Sequence, residues 1–150
     1  MITSEIYVLT EDNQRIYFDH YQNGRDKVVI IAHGFFNSKE AILLKALGRE
    51  LSGSYDVIIM DFRGHGSSPG LFYWTTKEYL DLQAVLDHAA KKYKDIGVIG
   101  FSLGAATSII TASQTDKIKS LIAVSAPADF QKIEYHFWEL DIEKIGRAHV

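Results

Sequence analysis

The 150-residue sequence contains no cysteine and no long apolar run, and both absences limit the classes of protein to which it can belong. A chain without cysteine forms no disulfide and supplies no thiolate as nucleophile or metal ligand. No apolar stretch approaches the roughly 20 residues that a membrane-spanning helix needs. The N-terminal residues also lack the charged-then-apolar layout of a secretory signal. We therefore expect a cytoplasmic protein with no membrane span.

Charge of one sign is not in excess either, because 16 basic and 19 acidic side chains give a formal net charge of −3. The sequence has no basic stripe or run of Lys and Arg, so we do not expect nucleic acid as a partner. It has neither a Walker loop nor a glycine-rich dinucleotide turn, and no histidine spacing typical of a metal site. We therefore expect no cofactor and no metal ion. The composition does not indicate an oligomeric state.

The pattern of apolar residues predicts strands alternating with helices. Helices are expected at 38–51, with Ser38 as N-cap, at 103–113, and after a cap formed by Thr75 or Thr76. Strands are expected at 5–10, 14–20, 27–32, 55–60, 96–99 and 120–124. This alternation predicts the α/β class, with a mostly parallel sheet and helices on both faces. The first two strands have no helix between them and should form an antiparallel edge.

The segment GFSLG at residues 100–104 is the most informative motif. An apolar run precedes it, and an alanine-rich helical pattern follows. Glycines two residues on either side of Ser102 let a strand turn sharply into a helix, which holds the serine hydroxyl away from the backbone. This context favours an exposed nucleophilic serine over a serine in an ordinary glycine-flanked turn.

Two further motifs precede this segment in a characteristic order: IAHGF at 31–35 and DFRGHGSS at 61–68. With all three motifs placed, the chain resembles the α/β-hydrolase superfamily over about residues 5–130. Within that superfamily it looks most like the serine-aminopeptidase and monoacylglycerol-lipase-like hydrolases. The resemblance implies an α/β-hydrolase fold that is incomplete at the C-terminus.

The resemblance also implies a site for acyl transfer. Ser102 would be the nucleophile, attacking a small-molecule acyl substrate to form an acyl-enzyme. The backbone N–H groups of Leu103 and Phe35 would form the oxyanion hole. Leu103 follows the nucleophile directly and begins the helix, where the helix dipole favours developing negative charge. We expect Gly34 to permit close approach of the backbone to the substrate.

The charged loop at 61–66 and its histidines admit a structural and a chemical interpretation. In the family, Asp61 and Arg63 pin neighbouring loops, and we favour that role over catalysis. A metal site made by His33, His65 and Asp61 is the sharper alternative, although its spacing fits no common ligand pattern. We expect His33 to be a buried, hydrogen-bonded residue rather than the catalytic base.

The other histidines and one aromatic run carry weaker signals. We interpret His20, His88 and His136 as surface or helix residues. The run FYW at 72–74 either lines an acyl pocket or packs in the core.

The acid and base that the family places after its nucleophile, at the ends of later strands, are missing. The Asp and His residues that follow Ser102 are Asp116, Asp129, His136, Asp141 and His149. Asp116 precedes its strand, Asp129 lies one strand before the usual position, and no later strand carries a following histidine. A base made by His136 with Asp129 is the alternative within this chain.

The last six residues, IGRAHV at 145–150, resemble the translation of a sequencing adaptor. We therefore expect residues 1–144 to be the N-terminal part of a single α/β-hydrolase domain and residues 145–150 to be non-native. The strand at 120–124 would then form an unprotected edge. We expect this chain to be inactive and prone to aggregate.

These observations favour a serine hydrolase that cleaves carboxylic ester, thioester or amide bonds. Two alternatives stay open from the sequence. One is a non-catalytic binding or interaction module with the same fold, and the other is an acyltransferase that uses the same serine.

Overall fold

The computed structural model describes residues 1–129. The helices are α1 (Ile42–Leu51), α2 (Glu78–Ala90) and α3 (Leu103–Ala112). The strands are β1 (Ile2–Leu9), β2 (Arg15–Gln22), β3 (Lys27–Ala32), β4 (Asp56–Met60), β5 (Asp95–Phe101) and β6 (Ile118–Val124). None of the helices within these residues has the length and apolar character that crossing a bilayer requires.

The strands form one sheet in the order β1-β2-β4-β3-β5-β6. Strands β4, β3, β5 and β6 are parallel, whereas β1 and β2 are antiparallel to their neighbours. The predicted α/β class and the antiparallel N-terminal edge are therefore confirmed. Because the four parallel strands run in the same direction, the loops after them meet at one edge of the sheet.

The apolar runs of β3 and β4 place side chains alternately on the two faces of the sheet. Ile30 and Ile58 face the core that α2 covers, with Leu82 and Val85 of that helix. Their neighbours in the sequence, among them Ile31 and Ile59, pack on the opposite face against Leu44 of α1. Burial on both faces explains why these strands lack the polar alternation of a surface strand.

Two helices begin later than the sequence predicts. Ser38 does not cap α1, because residues 38–41 form a separate turn in which the Ala41 N–H donates to the Ser38 carbonyl (3.1 Å). Thr75 and Thr76 do not cap α2. Trp74 and Thr75 have φ of +53° and +74°, a left-handed conformation that a helix does not contain. The Thr76 hydroxyl instead donates to the Tyr73 carbonyl (2.7 Å).

Candidate active site

The three sequence motifs lie together at the carboxyl edge of the parallel strands. Residues 33–37 follow β3, residues 61–70 follow β4, and Ser102 follows β5. Strands β4, β3 and β5 are adjacent in the sheet, so loops that are distant in sequence become neighbours in space. This edge is the usual ligand-binding side of an open α/β sheet.

Ser102 occupies a strained turn between β5 and α3. Its backbone has φ of +53° and ψ of −117°, a conformation that side-chain-bearing residues rarely adopt. A Cβ on Gly100 would lie 2.6 Å from the Gly104 carbonyl oxygen, and one on Gly104 would overlap the carbonyl of His33. Both glycines are therefore required for the sharp turn, as the sequence predicts. The turn leaves the serine exposed.

The turn is fixed by its neighbours on both sides. The Ser102 N–H donates to the Val124 carbonyl of β6 (2.8 Å), and the Ser102 carbonyl accepts from the Ala106 N–H (3.1 Å). Leu103 is the first residue of α3, so its N–H has no acceptor inside the helix. Within residues 1–129, no side chain is hydrogen-bonded to the Ser102 hydroxyl.

The loop after β3 closely approaches this serine. A Cβ on Gly34 would lie 3.2 Å from the Ser102 Cβ and 3.3 Å from the Phe101 carbonyl oxygen. The absence of a side chain at Gly34 therefore lets the two turns meet. The cleft that they form has a volume of about 400 Å³. Its lining residues are Gly34, Phe35, Phe36, Asn37, Trp74, Phe101, Ser102 and Leu103.

His33 is buried behind this loop and holds it to the loop after β4. Its Nε2 accepts from the Phe62 N–H (3.0 Å), so Nδ1 carries the proton and donates to the Gly34 carbonyl (2.6 Å). Burial lowers the pKa of His33 to about 4, which keeps the imidazole neutral at pH 7. The expectation of a buried, hydrogen-bonded residue is confirmed.

His65 belongs to the loop after β4 and binds the loop after β3, so it joins the same two loops as His33. Its Nε2 accepts from the Phe36 N–H (3.2 Å), and its Nδ1 lies 3.0 Å from the Arg63 carbonyl, to which it donates. The backbone therefore uses both nitrogens of the His33 and His65 rings, which argues against the metal alternative. Within residues 1–129 no three His, Cys, Asp or Glu side chains are grouped as metal ligands.

Asp61 organises the loop through its backbone partners. Its carboxylate is buried and accepts from the N–H groups of Lys39 (2.6 Å) and Ser67 (2.9 Å). Burial raises the pKa of Asp61 above its ordinary value. The carboxylate thus joins the segment before α1 to the loop after β4, which is the structural role that we expected.

Arg63 is buried and ties three parts of the chain together. Its guanidinium donates to Asp81 of α2 (2.8 and 2.7 Å) and to Asp12 in the turn between β1 and β2 (2.7 and 3.0 Å). The Arg63 guanidinium lowers the pKa of Asp12 to about 2. These bonds are consistent with a structural rather than a catalytic role for Arg63, since its donors are used within the fold.

The sequence left open whether the aromatic run at 72–74 lines an acyl pocket or packs in the core, and its three residues differ in this respect. Trp74 lines the cleft beside Ser102. Phe72 packs behind it, with its ring stacked on that of Phe35 at a centroid distance of 4.8 Å. Tyr73 is 38% exposed, and its ring faces the Lys77 ammonium at 4.3 Å.

The interpretation of His20 as a surface or helix residue is wrong. It lies in β2 and is buried, with Nε2 2.9 Å from the Tyr93 hydroxyl, which in turn donates to Asp56 (2.6 Å). The signal that could have revealed it is Asp56 at the start of a fully buried strand, because such a carboxylate needs donors. His88 lies in α2, as predicted.

Two of the candidate acids flank β6. Asp116 lies in the turn before β6, at the opposite end of that strand from Ser102, and Asp129 is exposed after β6. Three others and the predicted tail lie outside the described residues, namely His136, Asp141, His149 and 145–150.

Comparison with known proteins finds one matching family and several similar proteins. The profile of the alpha/beta hydrolase fold family matches residues 27–142. The uncharacterized hydrolase YugF of Bacillus subtilis is 26% identical over 132 residues, which cover 86% of this chain and 47% of the relative. Esterase YbfF of Escherichia coli is 31% identical over 112 residues, which cover 72% of this chain and 40% of the relative.

A solved structure is also similar to this chain. The structure of the Pyrococcus furiosus esterase Pf2001 superposes with a TM-score of 0.84 at 33% identity, covering 93% of this chain and 54% of that protein. The chain spans about half the length of the curated relatives that it matches.

Proposed function

The chain belongs to the alpha/beta hydrolase fold family, and from that premise we propose that it carries the nucleophile and oxyanion hole of a serine hydrolase. Family membership confirms the resemblance to the α/β-hydrolase superfamily found in the sequence. Among the bonds that such an enzyme could cleave, we favour the carboxylic ester, because a relative and a structural neighbour are both named esterases.

The observation that carries the proposal is the backbone of Ser102. A serine held at φ of +53° and ψ of −117° is strained, and such strain concentrates at functional sites. The same turn exposes the hydroxyl and places it beside Gly34 and the first N–H of α3. A serine in an ordinary turn needs none of these features.

The reaction follows from this arrangement. The Ser102 Oγ attacks the carbonyl carbon of the ester while its proton passes to a general base, and the carbonyl oxygen becomes an oxyanion. The N–H groups of Leu103 and Phe35 stabilise that charge. The C–O bond then breaks, the alkoxide leaves with the proton, and water hydrolyses the acyl-enzyme by the reverse steps. We propose that the base and its orienting acid lie beyond residue 129.

Covalent labelling of the full-length protein with a fluorophosphonate tests the nucleophile. We expect the wild-type protein to be labelled and Ser102→Ala not to be. Ser113→Ala is the matched control, since it removes an exposed serine at the other end of α3 and should leave labelling unchanged. Equal labelling of wild type and Ser102→Ala would refute the assignment, and an unreactive wild type would favour the non-catalytic module.

The oxyanion hole is tested separately with Phe35→Pro, which removes one N–H and retains the chain direction. We expect kcat to fall on the order of 10² or more. An unchanged kcat in a folded variant would show that the Phe35 N–H is not the second donor of the oxyanion hole. Product analysis in the presence of an added alcohol distinguishes hydrolysis from the acyltransferase alternative, because only the latter yields mainly the new ester.

A further inference from the structure

Phe36 combines backbone strain with an exposed ring. Its φ is +57°, and its side chain is 79% exposed. A bulky residue in the left-handed region is uncommon. Because the ring is largely exposed, it contributes little of the hydrophobic free energy that full burial would provide. Strain of this kind is retained where it has a function. Phe36 lines the same cleft as Ser102.

The loop holds Phe36 in this conformation. Its N–H donates to Nε2 of His65 (3.2 Å), and its ring lies 3.9 Å from that of Phe35, measured between centroids. His65 is itself buried and bonded to the backbone of its own loop. The backbone of Phe36 is therefore held in place before any ligand binds, and its ring lies against that of Phe35.

Trp74 supplies a second ring to the same wall. Its ring centroid lies 4.8 Å from that of Phe35 and 5.3 Å from that of Phe72. Trp74 is also strained, with φ of +53°. Two left-handed residues from different loops thus present aromatic side chains to the cleft beside Ser102.

We propose that Phe36 and Trp74 form an aromatic subsite that selects substrates whose acyl group carries an aromatic ring, such as benzoyl or cinnamoyl esters. This inference rests on the proposed function, since the subsite lies beside the proposed nucleophile. Flat rings contact fixed aromatic faces in offset or edge-on geometry, which is worth roughly two- to tenfold in affinity beyond area burial. A flexible alkyl chain loses rotational freedom on binding and gains no such contact.

Equilibrium binding tests the subsite without requiring turnover. The full-length Ser102→Ala protein is titrated with cinnamate and with hexanoate, which share the carboxylate and differ in the acyl group. We expect cinnamate to bind about five times more tightly. Phe36→Leu keeps an apolar side chain and should bring the two affinities close together, whereas Phe36→Tyr should retain the difference. Equal affinities in the Ser102→Ala protein would overturn the proposal.

Two further variants control for the general loss of an exposed apolar side chain and for misfolding. Ile42→Ala removes an 89% exposed apolar side chain that does not line the cleft and should leave the ratio of affinities unchanged. If Phe36→Leu fails to fold, Phe36→Asn takes its place, because asparagine tolerates the left-handed region. A ratio that survives loss of the Phe36 ring in a folded variant would refute the role of this residue.

Kinetics separate failure of this inference from failure of the proposed function. The ratio of kcat/KM for 4-nitrophenyl cinnamate and 4-nitrophenyl hexanoate should favour the aromatic ester and should fall severalfold in Phe36→Leu. Hydrolysis of both esters at equal kcat/KM would retain the serine hydrolase and refute the subsite. Absence of hydrolysis with tighter cinnamate binding would refute the hydrolase and retain the subsite.

Discussion

The backbone N–H of Phe36 donates a 3.2 Å hydrogen bond to Nε2 of His65, so a histidine in one loop fixes the backbone of another. On the other side of Phe35, the Gly34 carbonyl accepts from Nδ1 of His33 (2.6 Å). The residue proposed to supply an oxyanion donor therefore lies between two anchored neighbours. Preorganised donors of this kind need not reorient during the reaction, which is the basis of their effect on rate.

We expect His65→Phe to slow the reaction by positioning, because it removes the acceptor of the Phe36 N–H. A small displacement of the loop should lower kcat by roughly tenfold and leave KM nearly unchanged, since oxyanion contacts act mainly in the transition state. Steady-state kinetics on the full-length protein measure this split. His88→Phe, in α2, is the control and should retain kcat. A folded His65→Phe enzyme with wild-type kcat would contradict the prediction.

The parts of the structure that the sequence predicts are those governed by short-range patterns. The apolar run at 27–32 matches β3 residue for residue, because burial on both faces requires consecutive apolar side chains. The glycines around Ser102 correspond to a turn that a Cβ would obstruct. In both cases the information lies within a few residues of the feature itself.

The parts that the sequence does not predict depend on distant partners. The His65–Phe36 bond joins residues 29 positions apart, and the His20–Tyr93 contact joins residues 73 apart. The start of α2 is displaced because Trp74 and Thr75 adopt left-handed φ values. Local capping preferences cannot reveal such constraints, since they arise only when the loops meet in the folded chain.

The titration of two buried histidines should lower stability as the pH falls from 6.5 towards 4, whereas burial of Asp81, which raises its pKa to about 6, contributes a slope of the opposite sign below that pH. Burial lowers the pKa of His20 and of His33 to about 4, from the ordinary value of 6.5. Between these values the unfolded chain binds a proton that the folded chain does not, so protonation favours unfolding. Each histidine contributes about 1.4 kcal/mol per pH unit within this window. Above pH 6.5 neither residue should add a slope.

Urea unfolding at several pH values checks this prediction. His20→Gln should reduce the slope between pH 4 and 6.5 by about 1.4 kcal/mol per unit, because glutamine can still donate to the Tyr93 hydroxyl but does not titrate. Tyr93→Phe removes the hydrogen bond between Tyr93 and His20 but keeps the imidazole. It should therefore lower stability and retain the slope. An unchanged slope in His20→Gln would show that His20 does not titrate in this range.

The edge strand β6 should promote association of the 150-residue chain. Within residues 1–129, β6 pairs with β5 on one side only, and Ile122 is 57% exposed on it. Unpaired backbone groups beside exposed apolar side chains favour strand-to-strand association. We expect Ile122→Lys to reduce the oligomer fraction in analytical ultracentrifugation.

A matched control separates the edge from a general effect of charge. Ile109 of α3 is 48% exposed, and Ile109→Lys makes the same chemical change away from the sheet edge. It should leave the oligomer fraction close to that of the unmodified chain. Equal effects of the two substitutions would attribute the association to net charge or surface apolarity rather than to β6.

Strain at Ser102 should be measurable as a difference between glycine and alanine. The observed φ of +53° and ψ of −117° costs a side-chain-bearing residue about 1–3 kcal/mol, and Ser102→Ala retains that cost because it keeps the Cβ. Ser102→Gly removes the strain but adds about 0.5–1 kcal/mol of unfolded-chain entropy. We therefore expect the full-length Ser102→Gly protein to be more stable than Ser102→Ala by about 1 kcal/mol in denaturant unfolding. Ser113, with φ of −71°, is the control, and there glycine should be the less stable of the two. The same order of stability at both positions would show that the serine turn stores no strain.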